Sequence, residues 1–230
     1  MGMPVLINLS KAISDKESIA SVITMEGKTS IDIIESNFDY TLNEYIAGED
    51  INYHLSLNIP RFDRSEPKPF FLNIKSDLNA LAINLPYPLA KGIDDISMLD
   101  MNLIFPSGEL IQLDGHLNSD VKWNIYFKKI INDWNFDRGT IFLGDQMTDS
   151  PDSRGLHIRG NTNQIRFDDW VNFTKVNAKQ SANANFIRSI DLTMESFDIY
   201  GRSFDDQRIV ANRGSNGWII DLYGEQAEGL

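Results

Sequence analysis

The chain has 230 residues, 42% of them hydrophobic and 23% charged, a balance that suits a globular protein with a sizeable core. Its 33 acidic against 21 basic residues give a net charge of -12, which disfavours nucleic acid and anionic membrane surfaces as partners. The absence of cysteine excludes disulfides, thiolate metal ligands and cysteine nucleophiles, and the sequence reads without a transmembrane helix or a visible signal peptide.

In chain order, Ser14 with Glu17 at capping-box spacing predicts a first helix, with Ile19, Val22 and Ile23 on one face. The stretch INYHLSLNIP, Ile51 to Pro60, then alternates without a break: Ile51, Tyr53, Leu55, Leu57 and Ile59 on one side, Asn52, His54, Ser56 and Asn58 on the other. Such a face either packs on its own core or helps to line a surface for an apolar ligand, and periodicity leaves both open. Alternation recurs in Phe70–Ile74, Leu81–Leu85, Leu99–Phe105 and Val121–Phe127. Turn signals punctuate these runs at Pro60, 64–67, Pro86, Pro88, Pro106-Ser107-Gly108 and Gly115, so an antiparallel meander is expected.

Further strands are predicted at Gly139–Gly144, Leu156–Gly160, Gln164–Phe167, Ile190–Tyr200, Arg208–Asn212 and Trp218–Tyr223. The polar DQMTDSPDSR before Gly155 reads as a long loop or linker, Asp168 or Asp169 starts a second helix through Trp170, Val171 and Phe173, and NRGSNG, Asn212 to Gly217, is an exposed hairpin loop. One or two short helices against about a dozen strands make the fold mainly β, built of antiparallel meander sheets. The domain reading is one β-rich segment over 1–230, or two sheet segments parted near 144–155. The chain ends on a strong strand and GEQAEGL with nothing to cover the last edge, as a piece of a longer protein would.

Chemistry is thinly represented. His54, His116 and His157 lack the spacing of a metal site or catalytic dyad and read as structural or surface residues. Asp94-Asp95, Asp168-Asp169 and Asp205-Asp206 are paired carboxylates, but neighbours in a strand point to opposite faces, and each pair lies where a turn or helix cap is expected. No nucleophile elbow, phosphate loop or dinucleotide fingerprint is present. Of Trp123, Trp134, Trp170 and Trp218, which would suit a sugar-stacking platform, Trp123 and Trp218 fall in apolar strands and Trp170 on an apolar helix face, so core packing is the expectation. The chain is therefore read as non-enzymatic, without cofactor or metal.

Three longer segments resemble a known family. LAINLPYPLAK (Leu81 to Lys91, a strand closed by Leu-Pro-x-Pro-Leu-x-Lys), GLHIRGNTNQIRFDDW (Gly155 to Trp170) and SFDIYGRSFDDQRIVANRGSNGWIIDLYGEQAEG (Ser196 to Gly229) follow INYHLSLNIP in the order shown by large AsmA-like proteins of Gram-negative bacteria, specifically the YhdP type. The resemblance implies a segment of a long periplasmic protein anchored in the inner membrane, whose sheets curl into a groove that passes phospholipids toward the outer membrane. It implies as partners a phospholipid or other acyl-chain lipid, the remaining segments of the full-length protein and further envelope proteins, and carries over no catalytic residue. On that reading the alternating faces assign the lining to Ile51, Tyr53, Leu55, Leu57, Ile59, Leu81, Ile83, Leu99, Met101, Leu103, Trp123 and Ile125. An apolar lining removes most of the roughly 0.8 kcal/mol per CH₂ that an acyl chain meets in water. The alternative is that helices or an opposing sheet fill the same face, making a structural spacer or protein-binding β-sandwich module.

Overall fold

The computed structural model describes residues 5–11, 19–38, 45–48, 50–61, 68–145, 147, 152–176 and 186–224. Its elements are β1 (Leu6–Lys11), β2 (Ile19–Thr29), α1 (Ile31–Phe38), β3 (Ile46–Gly48), β4 (Ile51–Pro60), β5 (Phe70–Ser76), β6 (Leu81–Ile83), β7 (Leu99–Ser107) and β8 (Leu110–Leu117). They continue with β9 (Val121–Ile130), β10 (Asp133–Leu143), β11 (Gly155–Arg166), α2 (Phe167–Val176), β12 (Ile187–Ile199), β13 (Arg202–Gly214) and β14 (Gly217–Tyr223). The fold is mainly β: an open 12-stranded sheet in the order β1-β2-β4-β5-β7-β8-β9-β10-β11-β12-β13-β14, beside a two-stranded β3-β6 pair.

Four expectations are corrected. The segment 19–23 is strand, not helix, because β2 lies against β4 and gives Ile23 and Met25 the partners Leu57 and Leu55; Ser14 and Glu17 lie outside the described residues. The first helix instead follows Ser30, whose Oγ accepts the N–H of Ile33 at 3.4 Å as an N-cap does. The meander is broken at β11, which runs parallel to both β10 and β12. Parallel neighbours need a crossover, supplied between β11 and β12 by the segment that contains α2. Gly115 is no turn but lies within β8 opposite Met101, and Asp205-Asp206 lies within β13.

Other readings hold closely. Leu156–Gly160 and Gln164–Phe167 join through 161–163 into the single β11. The NRGSNG hairpin turns at 215–216 with Gly214 opposite Gly217, and residues 214–217 are exposed. The β12–β13 hairpin turns on Tyr200 and Gly201, both with positive φ (49° and 73°), as a two-residue turn matched to strand twist requires.

The chain divides into two compact units, 1–84 with 91–118 and 125–136, and 85–90 with 119–124 and 137–230. In the first, buried Ile31, Ile51 and Leu81 form one cluster with Ile34, Ile46 and Leu78 packed against it. Ile31 and Ile34, three apart on α1, supply the helix side of that cluster. In the second, Phe142, Leu143, Leu156, Leu192, Met194, Phe197 and Ala211 are buried.

Candidate functional site

The first unit owes its character to strand register. Directly paired residues share a face, so pairings from strand to strand trace rows across the sheet. One row runs Leu9, Ile23, Leu57, Leu72, Leu103, Leu113 through β1, β2, β4, β5, β7 and β8. The next on the same face runs Ile7, Met25, Leu55, Ile74, Met101 and ends on Gly115. Tyr53, Ile59 and Leu99 flank these rows, opposite Gly27, Ser21 and Ser76 respectively.

The other face is polar along its middle, bordered by a mixed row of Ser10, Val22, Asn58, Phe71, Ile104 and Gln112. Asn8, Thr24, Ser56, Asn73, Asn102 and Asp114 form a fully polar row, and beside it run Glu26, His54, Lys75, Asp100 and His116. Asn73 Nδ2 donates to Asn102 Oδ1 at 2.8 Å and to Asp100 Oδ1 at 2.6 Å, and Lys75 Nζ lies 2.8 Å from Asp100 Oδ2. Burial pushes the Asp100 carboxyl up, but hydrogen bonds from Lys75 and Asn73 outweigh it and hold the group below the usual carboxylate range. His54 meets Glu26 at 2.9 Å and His116 Nδ1 meets the Asn118 carbonyl at 2.8 Å, so both histidines do local surface work.

Burial distinguishes these apolar rows from a packed core. From β2 to β8 their side chains are half-buried, and at β1 Leu9 and Ile7 are 74% and 59% exposed. In a closed sandwich the centre of such a row would be as inaccessible as Leu81 is, at 2%. Among the described residues of the first unit, α1 packs beside β3.

Of the twelve residues picked out by alternation, the fold brings Leu55, Leu57, Met101 and Leu103 into the two rows, with Tyr53, Ile59 and Leu99 on the same face. Ile51 and Leu81 are instead closed into the α1 cluster, and Ile83 pairs with Ile46 in the two-stranded sheet. Trp123 and Ile125 share a face of β9 with buried Val121. Leu72 and Ile74 were missed as lining although the alternation within Phe70–Ile74 could have found them, and Ile23 was hidden by the helical reading of its segment. Lys91, which closes the Leu-Pro-x-Pro-Leu-x-Lys segment, is 7% exposed, and its Nζ donates to the carbonyls of Leu81 and Gly92. Burial pushes its pKa down against the pull of Asp95, Asp77 and Asp94.

The second unit repeats the pattern with deeper burial. Ile141, Ile158, Ile190, Ala211 and Ile220 form one row, and Leu143, Gly160, Leu192, Ile209 and Leu222 the next. Leu143, Leu192 and Ala211 are buried, while Ile220 and Leu222 on the edge strand are 63% and 40% exposed. Core packing fails for two tryptophans. Trp218 lies on that edge strand, exposed, with the Arg213 guanidinium 5.8 Å from its ring centroid, and Trp134 is also exposed. Trp170 is half-buried and donates its Nε1–H to the Tyr87 carbonyl at 3.1 Å.

His157 is held inside the second unit by local hydrogen bonds. Buried to 6% exposure, it lies between two hydroxyls, Ser153 Oγ 3.0 Å from Nε2 and Ser189 Oγ 2.7 Å from Nδ1. Burial pushes its pKa below the ordinary histidine range, so the folded unit holds it neutral. As pH falls below about 6.5 the unfolded chain takes up a proton that the folded chain refuses, so stability falls until the folded-state pKa is reached. Urea midpoints should therefore drop between pH 7.5 and 5.5 in the parent, and His157→Gln should flatten that drop; equal slopes in the two proteins would contradict the assignment.

Among the described residues no cluster of three or more His, Cys, Asp or Glu is placed to hold a metal, and no helix is long and apolar enough to cross a membrane. No curated protein and no solved structure matches the chain. The YhdP protein family does match, over residues 1–230, and the chain thus belongs to this family, which points to a cell-envelope protein connected with lipid transport.

Proposed function

We propose that this chain is a segment of a YhdP-type periplasmic protein, anchored in the inner membrane, whose apolar strand face carries phospholipid acyl chains between the inner and outer membranes without catalysis. One observation carries the reading: two adjacent apolar rows cross six and five strands, stay only half-buried, and are backed by a polar row on the reverse face. Strands spaced about 4.8 Å apart give such a row a length of roughly 24 Å, more than half the ~30 Å hydrocarbon core of a bilayer, so an extended acyl chain can lie along it. Non-directional contacts suit a ligand that must slide, since burial of each CH₂ gains about 0.8 kcal/mol wherever along the row it sits. On this reading the partly accessible face receives the acyl chain, and other segments of the full-length protein extend the path.

The test is organic extraction of the purified chain with mass spectrometry of the extract, against a control protein of similar size. Near-stoichiometric phospholipid is expected. No lipid above control, repeated after incubation with liposomes, would overturn transport by this segment. The reading left would be a structural spacer or protein-binding module, which the buried Leu143, Leu192 and Ala211 of the second unit favour on their own.

A further inference from the structure

The second unit also contains a cavity of about 320 Å³ where β11 runs into α2 beside the β12–β13 turn. That volume falls at the lower end of small-molecule sites, which span about 300 to 1,000 Å³. Its walls carry two arginines, Arg166 and Arg202, and three aspartates, Asp168, Asp169 and Asp198. Such mixed charge usually cancels internally, and part of it does. Asp168 Oδ2 accepts the backbone N–H of Tyr200 at 2.9 Å. Asp198 accepts from Gln164 Nε2 and Ser196 Oγ and faces Arg166 Nε at 4.0 Å, and its carboxyl is held low first by a Ser203 hydrogen bond.

Arg202 and Asp169 are different. Both line the cavity and both are exposed, yet neither side chain makes a hydrogen bond or ion pair with any described residue. An unspent cation and an unspent anion in one small cavity complement a ligand that carries both signs. A guanidinium matches phosphate oxygens through its planar fork, and a carboxylate accepts from a primary ammonium. A trimethylated ammonium has no N–H to give and is recognised by aromatic faces, of which this lining has none.

We infer that the cavity binds a small zwitterion of phosphate and primary ammonium, the chemistry of a phosphoethanolamine headgroup, with Arg202 on the phosphate and Asp169 on the ammonium. The zwitterion has two sources, a phospholipid headgroup or a free amino-phosphate. The first rests on the lipid-carrying reading given above and adds headgroup selectivity to it.

The experiment is a titration of the isotope-labelled full chain followed by two-dimensional NMR, with O-phosphoethanolamine, phosphocholine and inorganic phosphate as probes. O-phosphoethanolamine should shift the amides of Asp169, Gly201 and Arg202, and the other two probes should bind about tenfold more weakly. Arg202→Ala and Asp169→Asn should each weaken O-phosphoethanolamine about tenfold, with amide positions elsewhere unchanged to show that the fold persists. No shifts at the cavity, equal binding of phosphate alone, or variants that bind as the parent does would overturn the proposal. Co-sedimentation with phosphatidylethanolamine vesicles, set against phosphatidylglycerol vesicles, decides the source: Arg202-dependent preference for the former marks a headgroup, and no preference marks the free zwitterion. Because these soluble probes have no acyl chain, a failed lipid extraction would leave this site standing, and an empty cavity would leave the apolar rows standing.

Discussion

Leu57→Asp should reduce co-purifying phospholipid at least about tenfold while the protein stays folded, with a stability loss of about 1–2 kcal/mol in urea unfolding. Leu57 sits mid-row between Ile23 and Leu72, where a carboxylate would interrupt the path of an acyl chain. Any methylene crossing that point would have to strip water from the charge, and burying an unpaired charge costs far more than one methylene returns. The same carboxylate harms the apo fold little, because the site is half-buried and the charge keeps a route to solvent.

Leu192→Asp provides the contrast. Leu192 is in the corresponding kind of row in the second unit but is 8% exposed, so the charge would be trapped, at about 4 kcal/mol or more. Should Leu57→Asp unfold the protein as thoroughly as Leu192→Asp, the first unit's face is a closed core and the lipid reading fails.

Gly160→Ala should cost about 3 kcal/mol or more and lower the melting temperature of the second unit by roughly 6 °C or more. Gly160 has φ of +118°, and a Cβ built on it would stand 2.0 Å from the Leu143 carbonyl oxygen and 2.9 Å from the Leu143 nitrogen. Both atoms are backbone of β10, the parallel neighbour of β11, so relief requires the two strands to part. Side-chain rotation offers no escape. Gly108, in the β7–β8 turn with nothing within 4 Å of its Cβ position, is the matched control, and Gly108→Ala should stay within about 0.5 kcal/mol. A Gly160→Ala protein as stable as the parent would show that the close approach of β10 and β11 at Leu143 is not needed.

The two faces of the sheet were legible because a strand's side chains alternate whatever the strand pairs with. Ile51 to Ile59 announced an oily side before any neighbour was known, and pairing within the sheet needed only to match it with Leu72, Leu103 and their like, since a one-residue slip would turn each apolar set onto the polar face. Asp168, Asp169 and Trp170 likewise marked α2, and NRGSNG its hairpin, because caps and tight turns are local chemistry.

Where local chemistry was ambiguous, only the tertiary structure decided. Ile19, Val22 and Ile23 fit one face of a helix, yet β4 offers the segment a continuous set of cross-strand partners that no isolated helix could equal. Ile51 and Leu57 share one strand face, but α1 covers the first and leaves the second half-open, a difference set by where a neighbouring helix lies. Trp218 is exposed because β14 is the last strand of its sheet, and Arg202 comes to share a cavity with Asp169 because α2 and the β12–β13 turn meet there. Alternation determines what a strand can offer on each side; contacts between residues distant in sequence determine which side is covered, and no local pattern encodes those.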